Sequence, residues 1–352
     1  MTPRGTDWGL ALLVSLLFGT GVLTWFSGDE DNRWVLAAHA AGGGALAILL
    51  GWKLRRVGRR VLHPRSWDRR TRAGLAALAF VALTLLSGWI WSTFGRVDPG
   101  GYTLLAWHTL LGALLTVAVG VHLGFRAKRL RIRDVAGRRQ LFEAAAIGLG
   151  GVIAWRVQRP LSAALGLPGA DRRFTGSYEA DSFAGNAFPT TSWVADDPKP
   201  LDSRAYRLAV DGEVTSPLSL AFEELDGNDE LVATLDCTGG FYSEQRWRGV
   251  NIGKLIDRAE AGAGARHVRV VSVTGYRWSF SLDDAREMLL ATRVADEALS
   301  HGHGAPVRLV APGRRGFQWV KWVTRLELRG DGDPGAFPST ILSSFSAAGR
   351  GA

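Results

Sequence analysis

The stretch Leu235-Asp236-Cys237-Thr238-Gly239-Gly240 contains the only cysteine of the 352-residue chain. An apolar run, residues 231–235, precedes Cys237 and resembles a short strand, and two glycines follow, which permit close backbone approach at a strand end. A lone cysteine forms no intramolecular disulfide, and this setting suits a metal ligand or a nucleophile. A buried small apolar residue is the alternative reading. The sequence downstream decides between them.

Four ordered motifs follow Cys237. They are RWRGV at residues 246–250, GYRWS at 275–279, HGAPVR at 303–308 and PGRRGFQWVKW at 312–322. Together with Cys237 they resemble the molybdopterin domain of the sulfite oxidase superfamily, which includes sulfite oxidases, plant-type nitrate reductases and bacterial periplasmic protein-methionine-sulfoxide reductases. The resemblance covers about residues 172–330. It implies an α+β domain that transfers oxygen atoms at a molybdenum centre.

The resemblance also implies a set of cofactor-binding residues. Cys237 matches the cysteine that binds molybdenum, and a soft thiolate is a suitable ligand for a metal held by a dithiolene. The pterin ends in a phosphate, so cationic and backbone donors are expected around it. The residues that match these positions are Asn186, Ser272, His303, Arg308, Trp319, Val320 and Lys321. For Arg308 and Lys321 the alternative is solvated charge on a strand.

The substrate-binding positions match less well. Arg246 corresponds to an arginine that helps sulfite oxidases hold their anion, and it is predicted to be catalytic. Two further arginines of those enzymes are replaced here by Phe241 and Gln318, although Arg314 and Arg315 could substitute from the neighbouring loop. Oxidation of sulfite, a small oxyanion, and reduction of an S-oxide or N-oxide therefore both remain candidate reactions.

The net charge of +9 is concentrated in two basic segments. Residues 53–72 hold nine Lys or Arg and one Asp, and residues 126–139 hold seven and one Asp, so the rest of the chain is net acidic. Both basic segments follow long apolar stretches, as in the positive-inside pattern of membrane proteins. This distribution argues against a nucleic-acid partner and for membrane lipid.

Four apolar stretches reach the ~20 residues that a membrane-spanning helix needs. They are residues 8–27, 34–54, 73–94 and 102–125, and the basic segments after the second and the fourth predict a cytoplasmic N-terminus. We count residues 141–157 as a fifth span, which places the C-terminal domain outside the cell membrane, whereas four spans would leave it in the cytoplasm. Arg138-Arg139 before this segment resembles a twin-arginine export signal, and ordinary positive-inside arginines explain it equally well.

Three histidines lie inside the predicted spans, where a polar imidazole usually faces a partner or a cofactor. His39 and His108 lie at matched depth below the outer ends of the second and fourth spans, as axial ligands of one haem do. Glycines at 42–44 permit close approach there. His122 lies fourteen residues after His108 on the same helix face, a spacing similar to that of two-haem cytochromes b. The prediction is one haem b or two, and interhelical hydrogen bonding is the alternative.

The sequence thus predicts a multi-domain protein. Residues 1–158 form an all-α, cytochrome b-like transmembrane bundle of five spans, 159–173 a linker, 174–330 the α+β molybdopterin domain, and 331–352 a tail. The predicted function is a membrane-anchored molybdenum oxidoreductase, monomeric, that exchanges electrons through haem with quinone or a redox carrier. The alternative is a non-catalytic haem carrier whose C-terminal domain is a cofactor-free binding module.

Overall fold

The computed structural model describes residues 1–337 apart from 127–128, 132–133, 135–136, 192–195 and 197. The chain divides into two compact units, Met1–Tyr178 and Glu179–Ala352. Most of the predicted tail, from residue 338 onward, lies outside the described residues, as do parts of the second basic segment.

The first unit is a bundle of long helices. They are α1 (Pro3–Thr24), α2 (Arg33–Val61), α3 (Arg69–Thr93), α4 (Leu104–Arg126) and α5 (Arg138–Ala164). Side chains cap two of the helices, because Thr2 accepts a hydrogen bond at the start of α1 and Asp68 accepts one at the start of α3. The bundle core takes one buried residue from each of the first four helices, namely Val14, Leu46, Val81 and Leu115.

Within the described residues, four helices and not the predicted five have the length and apolar composition of a membrane span. Helices α1 to α4 are long and apolar enough to cross a membrane, and their outward faces expose many leucines and tryptophans. Helix α5 is continuous over 27 residues and passes through Pro160 into the predicted linker. It does not reach the same hydropathy, because glycines and alanines dominate it and Glu143, Arg156 and Arg159 lie within it.

Helix α5 nevertheless lies along the whole bundle. At its start, Glu143 forms an ion pair with the amino group of Met1, beside the beginning of α1. Near its end, Gln158 donates to the Thr93 hydroxyl at 3.0 Å, at the last residue of α3. Between these points a Cβ at Gly151 would lie 2.3 Å from a carbonyl oxygen of α2, so only glycine permits this approach.

The second unit is built on two sheets and short helices, which confirms the predicted α+β class. A short strand, β1 (Tyr178–Glu179), lies at the junction of the units. In one sheet β5 and β8 are central, and its members besides β1 are β4 (Asp229–Asp236), β5 (Phe241–Asn251), β8 (Leu289–Val294), β9 (Glu297–Ala298) and β10 (Arg308–Val310). The other has the order β3-β2-β11-β6-β7, with β2 (Arg207–Gly212), β3 (Leu218–Ala221), β6 (His267–Ser272), β7 (Arg277–Ser281) and β11 (Val323–Arg329).

Three short helices connect these strands, and two loops position the site. The helices are α6 (Phe222–Leu225), α7 (Ile252–Arg258) and α8 (Leu282–Arg286). Cys237 directly follows β4, and its N–H donates to the Phe241 carbonyl at 2.8 Å, which closes the turn into β5. The loop from β10 to β11 returns to the same place, where Arg315 forms a parallel bridge with Asp236. The end of β4 and this loop therefore meet at the cysteine.

Candidate active site

Cys237 is buried, and its sulfur lies within hydrogen-bond distance of a backbone N–H and a hydroxyl. The Gly239 N–H lies 3.2 Å from Sγ, and the Thr191 hydroxyl lies 3.3 Å from it. A Cβ at Gly316 would lie 3.0 Å from the Cys237 Cα, so the loop after β10 packs closely against the cysteine. A thiolate placed here has polar support on more than one side, which favours the metal-ligand reading over an apolar core residue.

Arg308 is the most deeply buried cation of the site, with 1% of its surface exposed. Its guanidinium lies over the rings of Trp247 and Trp319, at 5.0 and 5.6 Å, and donates to the His303 carbonyl at 3.1 Å. Burial lowers the pKa of Arg308, and the nearby Cys237 opposes this effect. Among the described residues its Nε has no hydrogen-bond partner. A buried positive charge in this state favours binding of an anionic group.

Lys321 adds a second cation to the same cleft. Its ammonium donates to the carbonyl oxygens of Thr191 at 2.7 Å and Gly302 at 2.6 Å. Burial, together with repulsion from Arg308, lowers the pKa of Lys321 to about 8. Two cations held this close to one another repel, and a bound anion relieves that repulsion.

His303 and Asn186 hold the loops beside Arg308 and Lys321 through hydrogen bonds. The His303 ring bonds the Ser300 hydroxyl at 2.7 Å through Nδ1 and the Phe188 carbonyl at 3.0 Å through Nε2. Burial and the neighbouring Arg308 lower the pKa of His303 to about 4, so the ring is neutral near pH 7 and donates from Nε2. Asn186 accepts from the Ser300 N–H at 2.9 Å and donates to the Ala298 carbonyl at the same distance. Both side chains therefore position the surrounding loops.

Of the remaining residues predicted to bind molybdopterin, Trp319 and Val320 hold the loop after β10, and Ser272 lies at the end of β6. The Trp319 indole donates to the Arg314 carbonyl at 3.1 Å, and the Val320 carbonyl accepts from the Leu309 N–H at 2.8 Å. Ser272 ends β6 and accepts from the Thr274 hydroxyl at 3.2 Å. Trp322, at the end of the loop, has φ of +50°, a conformation costly for a bulky side chain.

The structure does not bring Arg246 to Cys237. Strand pairing places Arg246 opposite Val232, whereas Cys237 bonds to Phe241 at the far end of β5. Five residues of strand separate Arg246 from Phe241, a distance of about 17 Å. The Arg246 side chain is also exposed. In the structure Arg246 therefore lies along β5 from the end that meets Cys237.

Both loop arginines that could substitute for the missing ones are already paired. Arg315 bonds Asp236 at 2.8 Å, with 5% and 2% of the two side chains exposed, and donates to the Cys237 carbonyl at 3.2 Å. Arg314 bonds Asp284 at 2.7 Å on a more exposed surface. Asp236 was not predicted as a site residue, although a carboxylate directly before a buried cysteine was a visible signal for a buried cationic partner.

Comparison with known families decides the class of this site. Residues 195–337 match the model of the oxidoreductase molybdopterin binding domain. The C-terminal unit carries a molybdopterin-dependent oxidoreductase domain. Such a cofactor fits the two central residues of the site. Its anionic phosphate suits the buried Arg308, whose Nε has no hydrogen-bond partner among the described residues, and its soft metal suits the sulfur of Cys237.

Curated relatives agree with this class, at low identity. The chain is 29% identical over 158 residues to nitrate reductase [NADH] 1 of Phaseolus vulgaris, covering 34% of this chain and 18% of that protein. It is 27% identical over 181 residues to sulfite oxidase of Gallus gallus, covering 42% and 39%. It is 27% identical over 148 residues to the protein-methionine-sulfoxide reductase catalytic subunit MsrP of Xanthomonas axonopodis pv. citri, covering 36% and 46%. The chain thus spans less than half the length of each relative.

A second candidate site lies in the helical unit. The rings of His39 on α2 and His108 on α4 lie 6.1 Å apart, centroid to centroid, with planes at 83°. Two imidazoles bound to one metal have centroids roughly 6 Å apart, since each metal–nitrogen bond is about 2 Å and the ring centre lies about 1 Å further. The matched depth predicted from the sequence therefore corresponds to real proximity.

The Nδ1 atom of each ring is held by the bundle. His39 Nδ1 lies 3.1 Å from the Thr20 hydroxyl, and His108 Nδ1 lies 3.0 Å from the Thr84 carbonyl. Metal-binding histidines are commonly oriented this way, with the second ring nitrogen bonded to a hydroxyl or carbonyl. Glycine makes room for each ring, because a Cβ at Gly88 would lie 2.8 Å from His108 and one at Gly21 would lie 3.3 Å from His39.

His122 and the glycines of α2 are placed differently. The His122 ring lies against Gly74 of α3, where a Cβ would be 3.0 Å from its Cε1. Lys53 follows His39 by fourteen residues on α2, the spacing by which His122 follows His108 on α4, and it is bonded to Asp7 at 3.0 Å. Gly44 contacts Gly151 of α5, so the close approach that the sequence predicts at this glycine is that of a neighbouring helix.

Proposed function

We propose that the protein reduces a neutral S-oxide or N-oxide in its C-terminal unit, with electrons supplied by a quinol through one haem b in the helical unit. The observation that carries the choice of substrate is the pairing of Arg315 with Asp236 and of Arg314 with Asp284. The buried pair with Asp236 holds Arg315 away from a substrate, and Arg314 is directed towards Asp284 on the surface. The sulfite oxidase relative and the MsrP relative make both directions of reaction chemically reasonable.

The residues of the chain divide the work of holding the cofactor. Cys237 supplies the sulfur ligand, Arg308 and Lys321 bind the phosphate, and His303 and Asn186 fix the loops around it. Trp247 and Trp319 exclude water from the guanidinium, which strengthens its attraction for an anion. Molybdenum in this cofactor supplies oxygen-atom transfer with an exchange of two electrons.

The proposed reaction balances with a quinol as the reductant. An S-oxide takes up two electrons and two protons, its S–O bond breaks, and a thioether and one water are released. One quinol supplies both electrons and both protons and becomes a quinone. Sulfite oxidation would run the other way, taking an oxygen atom from water and releasing two electrons. The paired arginines favour the first direction because an uncharged S–O group requires no free cation.

The haem proposal rests on His39 and His108. Their centroid separation of 6.1 Å and their bonded Nδ1 atoms suit two axial ligands of a single iron. At the other end of the bundle Lys53 stands where a histidine partner for His122 is required, and it is bonded to Asp7. We therefore propose one haem b rather than two.

Membrane anchoring is supported by the four apolar helices. We propose that α5, although less apolar, crosses beside them, because Glu143 near its start pairs with the amino group of Met1 and Gln158 near its end bonds Thr93 at the last residue of α3. With a cytoplasmic N-terminus, this topology places the C-terminal unit on the outer side of the cell membrane. A reporter that is active only outside, fused to the C-terminus, should then be active and a cytoplasmic one silent. The reverse pattern would contradict the fifth crossing.

Metal analysis and turnover of the purified full chain test the function. We expect molybdenum and haem in equal amounts, reduction of a dialkyl sulfoxide or an amine N-oxide with a reduced quinol analogue, and little oxidation of sulfite with ferricyanide. Faster sulfite oxidation than sulfoxide reduction would overturn the proposed direction. Haem without molybdenum would overturn the enzyme proposal and leave the electron carrier.

A further inference from the structure

Thr191 contacts the sulfur of Cys237 and has no role in the function described so far. Its hydroxyl lies 3.3 Å from Sγ, beside the Gly239 N–H at 3.2 Å. The Thr191 carbonyl accepts from the Lys321 ammonium at 2.7 Å, so the backbone of this residue is fixed independently of its side chain. The hydroxyl is therefore presented to the sulfur by a held backbone.

The direction of this hydrogen bond follows from the chemistry of the sulfur. A thiol and a hydroxyl can each donate, but a thiolate bound to a metal carries no proton and only accepts. When Cys237 is a metal ligand, Thr191 and Gly239 must both donate to it. Each donated hydrogen bond withdraws electron density from the sulfur, and less density then reaches the metal. Hydrogen bonds to metal-bound sulfurs are known to set reduction potentials in this way.

We propose that Thr191 is a positioning residue that raises the reduction potential of the metal bound by Cys237. The inference rests on the proposed function, since it requires a metal at this sulfur. Of the two donors, the Gly239 N–H belongs to the backbone and is present for any residue except proline at that position. The Thr191 hydroxyl is the donor that a side-chain substitution can remove. The effect acts through the sulfur, so it is distinct from substrate binding.

The neighbouring residue offers a matched control. Thr190 packs its side chain beside Gly302, where a Cβ would lie 3.0 Å from the Thr190 methyl group. Thr190→Val therefore makes the same chemical change one residue away, next to Gly302. Thr191→Ser keeps a hydroxyl at the tested position and loses only a methyl group. Thr191→Val and Thr191→Ala both remove the donor, one with similar volume and one with less.

The experiment is a redox titration of the purified full-length holoenzyme, followed by the electron paramagnetic resonance signal of Mo(V), with molybdenum content measured for every variant. Thr191→Val and Thr191→Ala should shift the molybdenum midpoint potential to more negative values, while Thr191→Ser and Thr190→Val keep the wild-type value. A wild-type potential in both donor-free variants would overturn the inference. Wild-type protein that contains no molybdenum would instead overturn the proposed function.

Discussion

The candidate sites of the two units differ in charge, because one is lined by uncharged groups and the other by cations. In the helical unit, His39 and His108 face one another inside an apolar bundle, and the Nδ1 of each is bonded to a hydroxyl or a carbonyl. In the C-terminal unit, Arg308 and Lys321 bring positive charge to a buried cleft beside Cys237. The first arrangement suits a metal that needs uncharged nitrogen ligands, and the second suits a cofactor with an anionic end. The charge of each site thus indicates the kind of group that would suit it.

If this comparison holds, the largest loss of turnover follows from replacing the sulfur ligand. Cys237→Ser should lower turnover by ~100-fold or more, because an alcohol is a poor replacement for a soft thiolate at molybdenum. The reduced haem spectrum should stay unchanged, since His39 and His108 belong to the other unit. Turnover with the sulfoxide and the haem absorbance are measured on the same sample. Full activity of the variant would refute the role of Cys237.

The reciprocal change tests the helical unit. His39→Ala and His108→Ala should each remove the same haem, as one iron cannot keep its site with either axial ligand missing. Molybdenum content should remain at the wild-type level in both variants. His63→Ala serves as the control, because His63 follows α2 and bonds the Arg59 carbonyl at 2.6 Å. A wild-type haem spectrum in either test variant would show that the two rings do not share a metal.

How far the sequence predicted these two sites differs for a physical reason. The spacing of His39 and His108 within their spans was enough to predict their proximity, because a helix converts residue number into depth at ~1.5 Å per residue. The second site required family motifs, since its residues come from loops whose paths no periodicity describes. Trp322, with its φ of +50°, is an example of such a loop conformation.

Arg246 and Arg315 lie in the expected motifs, but their motifs do not determine their contacts. Arg246 lies in the right motif, but the β4–β5 register carries it along the strand away from Cys237. Arg315 was considered a substitute for a lost anion-binding arginine, whereas the fold buries it against Asp236. Pairing of this kind depends on which strands and loops become neighbours. The sequence therefore indicates which residue types the site contains, but not which of them are already paired with another side chain in the fold.

The paired arginines allow a smaller effect to be measured. Asp236→Asn leaves Arg315 buried without its partner and should lower the free energy of unfolding by ~3–5 kcal/mol. Asp284→Asn makes the same change to the more exposed pair with Arg314 and should cost only ~0–1 kcal/mol. Denaturant unfolding of the full chain, followed by tryptophan fluorescence, compares the two. Equal losses of stability would show that the buried Arg315–Asp236 pair contributes no more than the exposed one.

The smallest expected effect is a pH dependence of anion binding at the cationic cleft. Burial and Arg308 lower the pKa of Lys321 to about 8, from an ordinary value of 10.5. Lys321 therefore carries its charge below about pH 8 and loses it as pH rises through that value, while the guanidinium of Arg308, whose pKa burial lowers to about 9, still carries its charge there. Affinity of the cofactor-free full chain for inorganic sulfate, whose own charge is constant over this range, should be higher below about pH 8 than above it.

Two lysine variants assign that dependence to one residue. Lys321→Met should bind sulfate more weakly than the wild type at neutral pH and should show no change as pH rises through about 8, because the remaining cation, Arg308, keeps its charge up to a pKa of about 9. Lys254→Met removes an equal charge from an exposed pair with Asp229 and should keep the wild-type pH profile. Calorimetric titration supplies the affinities. A pH profile that survives in Lys321→Met would mean that another group titrates in the cleft, and the contrast between a cationic and an uncharged site would then need a different residue to support it.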